Sequence, residues 1–426
     1  MRLKDKSLKS ILWIDVTMLV NWSGRMTGIQ RVEYNLAKRF SKKENVKFFV
    51  FDKNTNNLIN FEFKHIEYKI SQQQLSTPTV VYDEISIQQS ARHKIKSLVK
   101  KVLPHDIHKK LAVSYKNRYK HKNQPQDVVR FNQGDKLLIL SGDWSDHSFA
   151  DLVSHLRHDN KIKVIQIVYD MLPALYPSYF VPGMPDQFSD YMKKIFANCD
   201  KIFAISESTK NDIQRFIHSN KINDVRVEVF RLGDDFVKGA SKAPHDLDLK
   251  SNEFTLTVST VEARKNHLIM YYAMREAIVC GIEIPTMVVA GKKGWLMDDF
   301  FYLIKNDPVI SKKIVFIQPG DDELSWLYEN CLFTIFPSFY EGWGLPVAES
   351  MFYGKFCLSS DRSSMPEIAG NLIDYYSPND PIELLDKIVY YSGNLDILKT
   401  KENAIKVAYK PTSWDDTFNQ VSADIV

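Results

Sequence analysis

Residues 336–354 read FPSFYEGWGLPVAESMFYG, and this stretch decides the fold of the whole chain. The apolar residues that lead into Phe336 are typical of a buried strand, which Pro337 ends. Pro346 suits the first turn of a helix, where its missing N–H would have no partner in any case. Gly354 suits the left-handed residue that often follows the last turn of a helix. The stretch therefore predicts a strand, a loop and a helix in close succession.

Two glutamates of this stretch, Glu341 and Glu349, are spaced E-x7-E across the junction of loop and helix. Glu341 falls in the loop and Glu349 in about the first helical turn, so both can face a ligand beyond the end of the strand. The first N–H groups of a helix have no partner within it, and the helix dipole is positive there, which suits anionic or hydroxylated ligands. We therefore expect the pair to bind sugar or ribose hydroxyls; the alternative is two solvated charges on a helix.

Strand-like runs alternate with helical patterns along the chain, which predicts parallel sheets in doubly wound α/β domains. Ligands of such domains bind at the carboxyl ends of the strands, which in a two-domain chain means the cleft between the domains. The predicted strand and helix pairs are Ile11–Val16 with Gln30–Phe40, Lys136–Leu140 with Phe149–Arg157, Val164–Val168 with Gln187–Ala197, Ile202–Ile205 with Ser208–His218 and Phe254–Ser259 with His267–Cys280; further strands are Thr286–Ala290, Ile314–Phe316, Leu332–Phe336 and Phe356–Ser359.

The glutamate stretch resembles the sugar-nucleotide site of retaining glycosyltransferases of the family-4 type, which act in bacterial capsule, O-antigen and exopolysaccharide assembly. Further segments that resemble this family are TGIQRVEYNLAKRF (27–40), IFAISESTKNDIQRF (202–216), RLGDDF (231–236), STVEARKNH (259–267) and VVAGKKGW (288–295). The resemblance implies the GT-B fold, in which two doubly wound Rossmann-like domains face each other across a cleft. It also implies an acceptor-side domain over residues 1–236, a linker over 237–252, a domain for the nucleotide sugar over 253–410, and a C-terminal helix over 411–426 that crosses back to the first domain.

Two adjacent cations, Arg264 and Lys265, follow the predicted strand Phe254–Ser259. Cations in a loop between strand and helix fit a diphosphate leaving group, whose developing charge they would stabilise. The resemblance makes Glu349 the ligand of the nucleotide ribose and Glu341 the ligand of the transferred sugar. Backbone N–H groups of residues Trp343, Gly344 and Leu345 would bind other hydroxyls of that sugar, and Gly28 would let the backbone approach the diphosphate.

In the first domain, Tyr169 and Asp170 come directly after the predicted strand Val164–Val168. Many members of the resembled family have His-Asp at this place, so Tyr169 makes a proton transfer by histidine doubtful and leaves Asp170 as the catalytic candidate. An aspartate that only caps a turn is the alternative reading. Tyr169, Asp143 and Trp144 are candidates for the acceptor side. Asp143 and Trp144 end another predicted strand, and a plain loop is equally compatible with them.

Bulk properties exclude several classes of protein. The four cysteines are scattered, the histidines lack metal-ligand spacing, and a D-x-D pattern occurs only at residues 246–248, so we expect no metal and no cofactor. No run reaches the roughly 18 uninterrupted apolar residues of a membrane span, and no secretory leader is predicted. The net charge of +4 is too small to indicate nucleic acid. These features predict a cytoplasmic protein.

A basic insertion at residues 91–122 carries many Lys and Arg and a single acid, Asp106. Apolar residues between Ile95 and Leu103 repeat with helical spacing, and Lys94, Lys96, Lys100 and Lys101 surround them. Such helices bind anionic membrane surfaces, whereas a helix packed on the core with a solvated basic face would show the same pattern. We favour peripheral attachment to the inner face of the cytoplasmic membrane, because a lipid-linked acceptor would require it.

The sequence therefore predicts an enzyme: a retaining, metal-independent hexosyltransferase that moves a hexose or deoxyhexose from a nucleoside-diphosphate sugar to a glycan or lipid-linked oligosaccharide. GDP-mannose is the donor expected from the habit of the family. Two alternatives stay open, namely a non-catalytic subunit that binds sugar nucleotide or glycan in an assembly complex, and a phosphorylase or epimerase of the same fold.

Overall fold

The computed structural model describes residues 10–22, 26, 28–74, 80–81, 127–145, 147–244 and 247–425. The basic insertion 91–122 and Gly24 lie outside these residues. The elements of the first half, in chain order, are β1 (Leu12–Asp15), α1 (Thr17–Asn21), α2 (Gly28–Phe40), β2 (Val46–Asp52), β3 (Asn57–Phe61), α3 (Phe63–Gln74), β4 (Val80–Val81), β5 (Lys136–Ile139), α4 (His147–Asn160), β6 (Lys163–Val168), α5 (Leu172–Leu175), α6 (Met184–Phe196), β7 (Lys201–Ala204), α7 (Glu207–Ser219) and β8 (Arg226–Val229).

The second half begins with β9 (Phe254–Val258), and the described residues between β8 and β9 form neither helix nor strand. It continues with α8 (Leu268–Val279), β10 (Thr286–Ala290), α9 (Asp298–Asn306), β11 (Ile314–Gln318), α10 (Asp321–Asn330), β12 (Thr334–Phe336), α11 (Leu345–Phe352), β13 (Cys357–Ser360), α12 (Met365–Ala369), β14 (Asp374–Tyr376), α13 (Pro381–Gly393), α14 (Leu395–Ala408) and α15 (Trp414–Ser422). Short 3₁₀ turns lie at Pro177–Tyr179, Ala263–Lys265 and Ile310–Lys312.

The first sheet has the strand order β3-β2-β1-β5-β6-β7-β8 and is parallel except for the antiparallel pair β2–β3. Its central strands are almost continuously apolar because both faces are covered. Along β1, Trp13 and Ile14 point to opposite faces and pack into different clusters of buried side chains. Helix α2 covers one face with residues Val32, Leu36 and Phe40, which recur at helical spacing and are buried.

The second sheet has the order β14-β13-β12-β9-β10-β11-β4. Its strands are parallel apart from β4, which comes from the first half of the chain and pairs antiparallel with β11 at the edge. The strands β9 and β12 are direct neighbours although Val258 and Thr334 are far apart in sequence. Loops that follow these two strands therefore meet at the carboxyl edge of the sheet.

Two segments cross between the domains side by side. In the outgoing segment, Asp234 donates its backbone N–H to the carbonyl of Thr412 at 2.9 Å and accepts the N–H of Thr412 on its carboxylate. A Cβ on Gly233 would come within 2.4 Å of the Trp414 ring, so the two segments are packed as closely as glycine permits. After Trp414, helix α15 lies against α2, with the rings of Phe40 and Phe418 4.8 Å apart.

The domains also meet along the cleft. Tyr179 of the first domain stacks on Phe339 of the second, with ring centroids 5.6 Å apart and planes at 6°. The carboxylate of Glu367 accepts the backbone N–H groups of Glu207 and Ser208 at 2.7 and 2.8 Å, and so occupies the N-terminus of helix α7 from across the cleft. These contacts bring the carboxyl edges of the two sheets together.

Candidate active site

A four-residue turn after β9 places the two predicted cations beside the loop after β12. Asn266, at φ 53°, ends the turn in the left-handed region, which asparagine tolerates better than most residues. Its side-chain amide donates to the carbonyl oxygens of Pro337 (3.1 Å) and Pro378 (2.8 Å). The N–H of Phe339 donates to the carbonyl of Arg264 at 2.9 Å. These bonds fix the position of the cations relative to the glutamate loop.

Glu341 is bound by both cations. Arg264 donates from Nη1 to Glu341 Oε2 at 2.7 Å, and Lys265 donates from Nζ to Glu341 Oε1. Arg264 also contacts Glu262 Oε1 through Nε at 2.7 Å. The side chain of Glu341 is 10% exposed and those of Arg264 and Lys265 are 19% and 12% exposed. Because the pairs are shielded from water, we expect them to be stronger than ion pairs on the surface.

The charges in this cluster keep Glu341 and Arg264 in the ionised state. Burial alone would raise the pKa of Glu341, but Arg264 and Lys265 outweigh it and lower the pKa to about 2. Burial would lower the pKa of Arg264, and Glu341 and Glu262 raise it instead. The pKa of Lys265 is lowered by burial and by the neighbouring Arg264. The cluster thus presents an ionised carboxylate and a guanidinium at neutral pH.

Asp170 joins this cluster from the first domain. Burial raises its pKa, and the charge of Arg264 opposes the increase. Its Oδ1 also accepts the N–H of Leu172 at 3.0 Å, so the turn-capping role that the sequence left open is present as well. The structure therefore gives Asp170 a structural bond and a position in the electrostatic field of Arg264 and Glu341.

Gly342 explains how closely the two domains approach here. A Cβ at this position would lie 1.8 Å from the carbonyl oxygen of Tyr169 and 3.1 Å from Cβ of Asp170. Any larger residue would push the loop away from the first domain. The glycine is therefore required for the contact that joins Asp170 to the cluster.

Glu349 is the fifth residue of α11, directly after its first turn and close to where the sequence pattern placed it. Its Oε1 accepts a hydrogen bond from Arg31 Nη1 at 3.0 Å, and its Oε2 accepts one from the Tyr328 hydroxyl at 2.8 Å. The Arg31 side chain comes from α2 of the first domain. Sequence reasoning missed Arg31 and Tyr328, although Arg31 stands inside the quoted segment TGIQR.

The start of α11 is held by Ser364. Its hydroxyl contacts the carbonyl oxygens of Glu341, at 3.1 Å, and of Trp343. Gly344, at φ 153°, precedes Leu345, the first residue of the helix. The first N–H groups of a helix have no partner within it, so those at the start of α11 are available to donate hydrogen bonds to hydroxyl or phosphate oxygens of a ligand.

The remaining candidates face other parts of the first domain. Asp143 forms an ion pair with Lys53 at 2.7 Å, and Trp144 packs edge-on against Phe188. Tyr169 is buried in the core of its domain, and its main chain rather than its ring meets the glutamate loop. The structure thus brings Arg264, Lys265, Glu341 and Asp170 together and gives Asp143 and Trp144 partners elsewhere. Gly28 begins α2, and open space surrounds its Cβ position.

Two doubly wound domains that face each other across a cleft are the architecture of the GT-B class. Residues 241–410 of this chain match the family of glycosyl transferases group 1. The match covers the Arg264–Lys265 turn, the glutamate loop and helix α11. The resemblance to family-4 type glycosyltransferases of polysaccharide assembly is thereby confirmed.

Curated relatives point to the same class. The chain is 28% identical over 278 residues to the serotype-specific mannosyltransferase WbdA of Escherichia coli. This aligned region covers 62% of this chain and 33% of WbdA. It is 30% identical over 170 residues to the O-antigen chain mannosyltransferase B of Escherichia coli, covering 39% of this chain and 44% of the relative. The chain therefore spans less than half the length of these relatives.

Solved structures confirm the fold. The Anabaena protein HepE in complex with UDP superposes with a TM-score of 0.59 at 14% identity, over 97% of this chain and 98% of HepE. Sucrose-phosphate synthase of Thermosynechococcus elongatus superposes with a TM-score of 0.56 at 13% identity, over 97% and 98% of the two chains. The GT-B fold predicted from the sequence is correct.

Proposed function

We propose that the protein is a retaining glycosyltransferase that moves a mannosyl residue from GDP-mannose to a glycan. The observation that carries the proposal is the buried cluster in which Arg264 and Lys265 bind Glu341 beside the N-terminus of α11. The mannosyl assignment is supported by the relatives, which are a serotype-specific mannosyltransferase and an O-antigen chain mannosyltransferase.

Arg264 and Lys265 would stabilise the diphosphate as it leaves. Both cations are fixed by Glu341 and by the turn, so little reorganisation is needed when charge develops on the leaving group. The N–H groups at the start of α11 would add to this stabilisation. In this role the two cations replace a divalent metal ion, and we propose that transfer needs none.

The carboxylates would orient the two sugars of the donor. Glu341 stays ionised at neutral pH because its pKa is about 2, so it can only accept hydrogen bonds, which suits the hydroxyls of the transferred sugar. Glu349 would accept hydrogen bonds from the ribose hydroxyls. Asp170 stands on the first-domain side of the cluster, where an acceptor hydroxyl would approach the anomeric carbon.

We propose further that the acceptor is lipid-linked and that the basic insertion 91–122 attaches the protein to the inner face of the cytoplasmic membrane. This part rests on the sequence pattern alone. Of the helices in the described ranges, none is both long enough and apolar enough to cross a bilayer.

Co-sedimentation with vesicles tests the attachment. Wild-type protein should pellet with phosphatidylserine vesicles at low salt and be released at high salt, since each basic residue near the surface contributes about 1 kcal/mol. Changing Lys94, Lys96, Lys100 and Lys101 to Gln should abolish pelleting. A wild-type protein that stays in the supernatant at low salt contradicts the proposed attachment.

The transfer itself is tested with GDP-mannose, UDP-glucose and UDP-galactose as donors and alkyl α-mannosides as acceptors. GDP-mannose should give an α-linked product, identified by its carbon–proton coupling at the anomeric centre, together with one GDP for each linkage. A β-linked product contradicts retention, and turnover of a uridine donor alone contradicts the mannosyl assignment. Donor binding without transfer to any acceptor would support the reading as a non-catalytic binding subunit.

A further inference from the structure

The carboxylate of Glu349 accepts hydrogen bonds from two side chains. Arg31 Nη1 lies 3.0 Å from Oε1, and the Tyr328 hydroxyl lies 2.8 Å from Oε2. Tyr328 belongs to the same domain as Glu349, because it lies on α10. Arg31 lies on α2, on the other side of the cleft. The candidate ribose ligand is therefore held partly by the domain that faces the acceptor.

The contact between Arg31 and Glu349 is well shielded. The side chains are 30% and 12% exposed, and the guanidinium carbon of Arg31 lies 5.5 Å from the centre of the Phe236 ring. Phe236 covers the arginine from the segment that links the domains. A charged pair with this degree of shielding has a more defined geometry than a pair on the open surface.

The two donors leave room for a ligand. An ionised carboxylate accepts about four hydrogen bonds, about two on each oxygen, and Arg31 and Tyr328 use one on each. A ribose presents two neighbouring hydroxyls, which match the remaining acceptor positions if the carboxylate cannot rotate. Bonds from opposite sides of the cleft prevent that rotation.

We propose that Arg31 is a positioning residue of the donor site, which fixes the carboxylate of Glu349 for the ribose of a nucleoside diphosphate. This inference rests on the proposed function. Because the Arg31 contact exists only when the domains are together, the closed arrangement binds the nucleotide more tightly than an open one. By thermodynamic linkage the nucleotide then stabilises the closed arrangement by the same factor.

Calorimetry with UDP, GDP, ADP and dTDP tests the inference without an acceptor. Arg31→Gln should weaken the nucleotide that the wild type binds best by about tenfold, the loss expected for one hydrogen bond to a charged group. Arg31→Lys, which keeps the charge, should recover part of the loss. Arg39→Gln is the matched control, because Arg39 lies on the same helix and pairs with Asp415 instead; it should bind like the wild type.

A double-mutant cycle separates positioning from a general structural effect. If Arg31 acts through Glu349, Arg31→Gln should cause no further weakening in the background of Glu349→Gln. The Michaelis constant for the donor should rise in Arg31→Gln while turnover at saturating donor stays within about twofold. Unfolding temperatures measured without nucleotide should agree between Arg31→Gln and Arg39→Gln.

Each failure has a different meaning. Additive losses in the cycle, or wild-type affinity in Arg31→Gln while Glu349→Gln binds weakly, overturn the role of Arg31 and leave the proposed function in place. Wild-type affinity in Glu349→Gln overturns the inference together with the ribose assignment. Failure of the wild type to bind any of the four nucleotides contradicts the proposed function itself.

Discussion

The carboxyl edges of the two sheets carry buried carboxyl groups whose pKa values are shifted in opposite directions. In the second domain, Glu341 is bound by Arg264 and Lys265, and its pKa falls to about 2. In the first domain, burial raises the pKa of Glu33 to about 8 and that of Asp15 to about 6. Ser141 donates a hydrogen bond to Glu33, which offsets only part of the burial, and the charge of Asp15 adds to the increase.

The comparison shows that burial alone does not decide the charge of a carboxylate at these edges. All three acids are less than a tenth exposed, so the difference comes from the cations that the second domain supplies. An edge with fixed, ionised groups suits a diphosphate, whereas an edge at which Glu33 keeps its proton at neutral pH beside the Ser141 hydroxyl suits an uncharged, hydroxylated ligand. The contrast agrees with the proposed division of donor and acceptor between the domains.

The largest expected effect on turnover comes from removing Arg264, a cation at the carboxyl edge of the second sheet. Arg264→Ala should lower turnover by about 10²–10³, the cost of losing one group that stabilises developing charge. Arg275→Ala is the control, since Arg275 pairs with Asp307 on the same domain and is half exposed. Initial rates at saturating donor measure both. Equal rates in the two variants would mean that Arg264 does not stabilise the leaving group.

The glutamates should differ from each other in which step they affect. Glu349→Ala should weaken nucleotide binding and Glu341→Ala should mostly lower turnover, each at least tenfold, because a buried hydrogen bond to a charged group contributes about 1.5–3 kcal/mol. Calorimetry with GDP and initial rates separate the two effects. The exposed Glu329→Ala serves as control. Unchanged GDP affinity in Glu349→Ala would contradict its assignment to the ribose.

Glu33, at the carboxyl edge of the first sheet, should make the stability of the folded protein depend on pH. Glu33 keeps its proton up to about pH 8 in the folded chain but loses it near the ordinary glutamate pKa of 4.5 when unfolded. The folded state therefore binds more protons between these values, and stability falls as the pH rises from 4.5 to 8. Glu33→Gln mimics the protonated acid and should lose less stability than the wild type over this range.

Thermal unfolding at pH 5.5 and pH 8 measures this difference. A change of 1 kcal/mol corresponds to about 2–4 °C for a domain of this size. The exposed Glu44→Gln is the control and should follow the wild type at both values. Parallel curves for Glu33→Gln and the wild type would mean that Glu33 is ionised, and the contrast between the two edges would disappear.

No effect at all is expected from a chelator. Since Arg264 and Lys265 are proposed to do the work of a divalent cation, excess EDTA should leave transfer unchanged. Loss of transfer in EDTA that is restored by magnesium or manganese would show that the cationic turn is insufficient. A control reaction with a metal-dependent transferase confirms that the chelator is active.

Much of the fold could be predicted because apolar periodicity is a local property. The predicted strand Thr286–Ala290 has the observed bounds, and the predicted helix Ser208–His218 differs from the observed one by a single residue at each end. The segment from β2 to α3 was not predicted, although Val46–Asp52 is strongly apolar. That hairpin is antiparallel, so it lacks the alternation with helices by which the other strands were recognised.

The candidate site could be predicted only within each loop. The turn with Arg264 and the loop with Glu341 were recognised separately, and their contact depends on β9 and β12 being neighbours, which sequence order does not indicate. The contact from Arg31 to Glu349 joins residues 318 positions apart across two domains. Glu33 interrupts the apolar face of α2, and a charged residue at such a position was a signal that a buried polar contact exists.

The paired segments at Asp234 and Thr412 determine how the cleft can move. A single connecting segment would let one domain rotate freely about the other, but two segments that are hydrogen-bonded side by side restrict this rotation. Rotation about the line between the domains would break the bonds between Asp234 and Thr412, whereas opening and closing about one axis would keep them. A molecule that opened and closed in this way would return Asp170 to the same place against the glutamate loop.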